Sequence, residues 1–100
     1  MSHHYAELLA ADIRLVILRA LAEDPGYSHN ESVLQQVLEL FGHTESRDRI
    51  RTELSWLAEQ GLITVRDALG YMVATLTGRG ADVAAGRATV PGVKRPGPRG

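Results

Sequence analysis

Apolar side chains recur between residues 5 and 23 at helical spacing, with Leu9, Ile13, Val16, Ile17 and Ala20 sharing one face. The segment holds no Gly or Pro and is rich in Ala, Leu, Glu and Arg, all favourable in helices. Leu8, Leu15 and Leu18 spread the apolar surface well beyond one stripe, so this first helix is expected to be covered on two sides. Asp24, Pro25 and Gly26 end it, because proline cannot continue a helix and glycine permits the turn. Tyr27, Ser28 and His29 allow only a short extended piece. A second helix is predicted from Val33, Leu34, Val37, Leu38 and Phe41, with Asn30 as N-cap and Glu31 well placed in the first turn. Ser28 with Glu31 also fits a capping box, two residues earlier. Ile50, Leu54 and Leu57 define a third helix, capped by Ser46 and closed by Gly61. Asp48, Thr52, Ser55 and Glu59 fall opposite Ile50 on it, with Arg49 and Arg51 on the flanks.

The period then changes. Leu62 to Arg66 and Tyr71 to Leu76 are β-branched, apolar-rich runs joined by Asp67 to Gly70, which predicts a β-hairpin with Gly70 in the left-handed position. Thr77 caps a last short helix reaching about Ala85. From Val90 onward VPGVKRPGPRG holds three prolines, three glycines and three cations. That composition predicts a folded domain over residues 1–86 and a basic, flexible tail over 87–100 that adds nothing to the core.

One hundred residues suffice for one small core. Hydrophobic residues make up 44% but aromatics only 5%, so that core is aliphatic. The lack of cysteine excludes disulfides, thiolate chemistry and Cys-based metal sites. No apolar run approaches the roughly 20 residues that cross a bilayer and no signal segment is present, which points to a cytoplasmic protein. The net charge of −1 hides an uneven distribution: residues 1–43 carry two arginines against six acids, whereas 87–100 carry four cations and no acid. Bulk positive charge therefore cannot drive nucleic-acid binding, and any such contact must be local.

Helix, short extended piece, helix, turn, helix, hairpin and helix is the order of a winged helix-turn-helix domain, an α+β fold that is mainly α. It combines a three-helix core with a two-stranded hairpin wing and a short C-terminal helix. Ser46, Ile50, Arg51, Glu53-Leu54, Leu57 and Gly61-Leu62-Ile63 resemble the recognition helix and wing start of bacterial repressors of the ArsR, DeoR and MarR kinds. Leu76-Thr77-x-Arg79-Gly80 resembles the opening of their following helix. Over residues 5 to 86 the chain is similar to small winged-helix proteins of transposable, Mu-like phages and prophages.

The resemblance implies a phage-type transcriptional regulator that reads double-stranded DNA with helix 46–60 and the wing 62–76. Ser46, Arg47 and Arg49 stand on the first turn, where backbone N–H groups favour a phosphate. Thr52 and Ser55 are short and outward, and Arg51 is long enough to reach a guanine or the backbone. Arg66 is placed as the basic wing residue. Lys94, Arg95 and Arg99 of the tail would add phosphate contacts. The alternative is that these are ordinary ionic helix surfaces, on a non-enzymatic module that holds a protein partner or serves phage assembly or packaging. The wide apolar first helix points to a homodimer through that helix and the last one. No metal, cofactor or catalytic residue is expected. His3 and His4 are terminal, His29 and His43 are isolated in turns, and no nucleophile has a paired base. Trp56 is expected to pack against the first helix or under the wing.

Overall fold

A computed structural model describes residues 2–97. It is α+β and mainly helical, in the order α1 (Ser2–Glu23), β1 (Ser28–Asn30), α2 (Glu31–Leu40), α3 (Arg47–Glu59), β2 (Ile63–Ala68), β3 (Tyr71–Leu76) and α4 (Gly78–Ala85). Each predicted cap is in place. Asn30 Oδ1 accepts the Val33 N–H at 2.9 Å, Ser46 Oγ accepts the Arg49 N–H at 3.0 Å, and Thr77 Oγ1 accepts the Gly80 N–H at 3.0 Å. These side chains satisfy N–H groups that have no partner within their own helix.

The short extended piece is a strand, and it enlarges the hairpin to a three-stranded antiparallel sheet in the order β1-β3-β2. Ser28, His29 and Asn30 lie opposite Thr75, Ala74 and Val73. The β2–β3 connection is also tighter than predicted, because pairing runs on to Ala68 and Tyr71 and leaves only Leu69 and Gly70 in the turn. Both have positive φ, 54° and 87°.

Ile13, Ile17, Leu18 and Leu21 of α1 are fully buried against Leu34 and Leu38, Ile50, Leu54 and Leu57, and Leu62. Val83 and Ala84 of α4 join this core against α1, so the apolar face of the last helix is covered within the chain.

The segment beyond residue 86 departs from its expected lack of core contacts. Val90 and Val93 are buried, 4% and 8% exposed. The Val93 N–H donates to the Val90 carbonyl, a tight turn through Pro91 and Gly92 that brings both valines to one side. The Lys94 N–H donates to the Ala11 carbonyl at 3.2 Å. Composition described the prolines and glycines correctly, but two valines three residues apart suffice to hold the segment on α1.

Candidate functional site

Two of the three arginines predicted on α3, Arg49 and Arg51, are held by carboxylates. Arg51 donates from Nε and Nη2 to both oxygens of Glu31, at 2.6 and 2.8 Å, and Nη2 also donates to the Gly70 carbonyl at 2.9 Å. Glu31 is fully buried, and its Oε2 accepts the Met72 N–H at 2.6 Å. β1 stops at Asn30, so the side chain of the next residue takes the N–H that another strand residue would have taken. Arg51 then reaches the hairpin turn through Gly70, and the pair ties α2, α3 and the β2–β3 hairpin together. The guanidinium holds the Glu31 carboxyl below its ordinary pKa, against the opposing effect of burial and with help from Met72. In return Glu31 raises that of Arg51.

A second bracket lies on the other flank of α3. Glu53, 3% exposed, accepts from Arg14 Nε at 2.7 Å and from Arg49 Nε at 2.8 Å. Arg49 is also 3.8 Å from Glu45. Arg14 continues outward: its guanidinium carbon lies 3.9 Å from the centroid of the Trp56 ring, and Nη1 donates to the Gly92 carbonyl at 2.9 Å. Trp56 therefore packs between α1 and the segment after α4.

Arg47 Nε donates to Gln35 Oε1 at 3.1 Å, and its guanidinium lies 5.9 Å from the Tyr71 ring. Ser46, Thr52 and Ser55 are exposed. Thr52 and Ser55 share a shallow depression with Asp48, Arg51, Trp56 and Glu59, so the outward stripe carries two acids. Arg66 is exposed on β2, with no carboxylate in ion-pair range among the described residues. Lys94 Nζ lies 3.3 Å from Asp12, Arg95 is exposed, and Arg99 lies outside the described residues. The predicted set thus falls into three places: α3 with its brackets, the β2–β3 hairpin, and the segment on α1.

His43 is not isolated. It is 8% exposed, with Nε2 2.6 Å from Asp12 Oδ2. Burial pushes the Asp12 carboxyl up, but hydrogen bonds from His43 and Lys94 outweigh it and hold the group below its ordinary value. No group of three or more metal-ligating residues occurs among the described residues. No helix among them is long and apolar enough to cross a membrane.

The chain is 55% identical over 93 residues to the uncharacterized protein gp26 of Escherichia phage Mu, covering 93% of this chain and 96% of that protein. This chain belongs to the Mu gp26 family. It is also 54% identical over 76 residues to an uncharacterized protein of Haemophilus influenzae, covering 75% of this chain and 74% of that one. No family model and no solved structure matches.

In this gp26-family chain, sequence reasoning missed Glu31, Glu53 and Arg14 as the groups that organise the basic residues. Glu53 left a signal: three residues after Ile50 and four before Leu57, it lies on the core-facing arc of α3. Arg14 likewise stands between Ile13 and Ile17, next to core positions. Glu31 was legible only as a first-turn acid.

Proposed function

We propose that the protein is a non-enzymatic winged helix-turn-helix module of phage type that holds a protein partner, instead of reading duplex DNA with α3. One observation carries this reading: Arg49 and Arg51 are already engaged by Glu53 and Glu31, both buried. Moving Arg51 to a phosphate would leave a buried carboxylate without its counter-charge, a penalty of several kcal/mol per ion. The outward stripe with Asp48 and Glu59 adds repulsion toward a phosphate backbone. The wing tip supports the same reading, because Leu69 is fully exposed and held at φ 54°. A γ-branched side chain there costs about 1–2 kcal/mol, and such strained positions cluster at ligand clamps and switch regions.

A second reading, duplex DNA binding by a regulator, draws on the element order with sheet order β1-β3-β2 and on exposed Arg66. Fluorescence anisotropy with phage and host duplexes across a salt series separates the two. The protein-partner reading expects no affinity beyond the nonspecific range of about 10⁻⁴ to 10⁻⁶ M at physiological salt. It also expects a stoichiometric protein to co-purify from phage-producing cells and to be lost in Leu69→Asp. Submicromolar DNA binding that weakens in Arg47→Ala and Arg66→Ala would overturn it in favour of the second reading.

A further inference from the structure

We infer that the free edge of β2 takes an extended segment of a protein partner as an added strand, one with apolar and acidic residues in alternation. The inference rests on the protein-partner reading and names how that partner is held. In the order β1-β3-β2, the far side of β2 has no neighbouring strand among the described residues. The hydrogen bonds of β3 fix which backbone groups point there. The Leu76 N–H donates to the Tyr27 carbonyl and the Met72 N–H to Glu31. Tyr27 precedes β1 and Glu31 follows it, so both N–H groups point away from β2. Leu76 and Met72 lie opposite Ile63 and Asp67, with Ala74 opposite Val65 between them. These are therefore the pairs that exchange no hydrogen bonds across β2–β3. The backbone N–H and C=O groups of Val65 and Asp67 face outward, without a backbone partner among the described residues.

The two sides of the sheet differ in how they end. On the β1 side, where the strand stops at Asn30, the buried Glu31 carboxylate takes the Met72 N–H and the chain completes its own ladder. On the β2 side Thr64, Val65, Arg66 and Asp67 are all exposed. A row of unpaired N–H and C=O groups is a template for another extended backbone. The side chains select which one. They alternate across the strand, so Val65 and Asp67 share one face while Thr64 and Arg66 share the other. On the first face a depression of about 220 Å³ lies against the edge, lined by Arg51, Val65, Arg66, Asp67 and Met72. Arg51 is engaged there by Glu31 and Gly70, and the Asp67 carboxylate accepts the Gly70 N–H at 3.3 Å. That leaves Val65, 38% exposed, and Met72 as the surface for an apolar side chain to cover. On the second face Arg66 has no carboxylate in ion-pair range among the described residues. A charged edge rejects strands that cannot match it, so Arg66 admits a strand whose acidic side chains stand beside it. Apolar residues over Val65 and acidic ones beside Arg66 give the alternation.

Amide hydrogen exchange of the isotope-labelled full chain tests the inference, with a blocked heptapeptide of alternating Glu and Val as the probe. At saturating peptide, exchange at Val65 and Asp67 should slow by about tenfold or more, while Thr64 and Arg66, already bonded to β3, change little. Proline is accepted on an edge strand where its nitrogen faces solvent. Val65→Pro therefore removes one outward N–H and keeps the hairpin, and should weaken the peptide about tenfold. Val65→Ile, which keeps the N–H, should bind close to the original. Arg66→Glu leaves the backbone untouched and should reverse the preference toward a peptide with Lys in place of Glu. Circular dichroism verifies that the variants fold. No binding, binding that leaves Val65 and Asp67 unprotected, or an affinity unchanged in both Val65→Pro and Arg66→Glu would overturn the inference. Failure of the protein-partner reading looks different: it shows as submicromolar DNA binding and leaves the exchange at Val65 and Asp67 as measured.

Discussion

The charged flank of α3 and the outer face of α1 solve opposite problems. On α3, guanidinium groups meet buried carboxylates at 2.6 to 2.8 Å, and their charge is used inside the chain to hold α2, the β2–β3 hairpin and the C-terminal segment in place. On α1, Tyr5 and Leu8 are exposed and Val16 and Ala20 half-buried, along a rim of mixed charge that Lys94 and Gly97 of the C-terminal segment border. A count of arginines would choose α3 as the binding surface. Their partners reverse the choice: charge that is satisfied internally gives rigidity, and the surface left incomplete is the one with apolar area to bury.

The sharpest way to break the α3 side of this contrast is at Gly92. Its φ is 99°, and a Cβ there would lie 2.7 Å from the Trp56 ring and 3.2 Å from Arg14 Nη1. Gly92→Ala must displace either the ring or the loop, and with it the Arg14 bond to the Gly92 carbonyl. The expected loss is about 2–3 kcal/mol from overpacking and left-handed strain together, read as a lower urea midpoint. An unchanged midpoint would mean that the segment after α4 adds nothing to the stability of the body.

Local signals made much of the fold legible. Asn30, Ser46 and Thr77 each announced a helix start because a cap is a contact within four residues. Proline and glycine after Glu23 marked a stop for the same reason. The β1–β3 pairing was not legible, since it joins residues more than forty apart and three residues carry no periodicity. The same holds for the site. Residue types on α3 were read correctly, but whether an arginine is available depends on partners such as Glu31, 20 residues away, or Arg14, 39 residues from Glu53. Val90 and Val93 were obscured by the glycines and prolines around them, whose effect on composition outweighed two apolar side chains that the core has room for.

A smaller effect sharpens the contrast at Glu31. Its carboxyl lies below the ordinary value because Arg51 and Met72 donate to the charged form. The folded state therefore binds the proton less readily than the unfolded chain. The resulting stability is fully present above the ordinary Glu value of about 4.3 and is lost as pH falls through the folded-state value. Glu31→Gln keeps the shape but removes the charge. It should cost about 2 kcal/mol near neutral pH, where a buried, charge-assisted set of hydrogen bonds is weakened. The difference from the original chain should shrink as pH falls below the ordinary Glu value of about 4.3, where the unfolded chain takes up the proton first. Urea midpoints measured at neutral pH and near pH 3 check it. A gap between the two proteins that is the same at both would show that the bracket works by shape, with no contribution from charge.

The smallest expected effect has the opposite sign and belongs to the turn of the β2–β3 hairpin. Leu69 and Gly70 form the two-residue turn of this hairpin with both φ values positive, a geometry that favours Asn-Gly. Leucine gives up turn stability there, and because it is fully exposed it regains none by burial. Leu69→Asn should therefore stabilise the chain by about 0.5–1 kcal/mol, measured as a higher urea midpoint, while weakening capture of the protein partner proposed above. The two readouts must diverge for the wing tip to be a contact. If Leu69→Asn is more stable and still retains the partner, the strained leucine has no binding role, and the partner must be sought along Asp48, Thr52, Ser55 and Glu59 on α3.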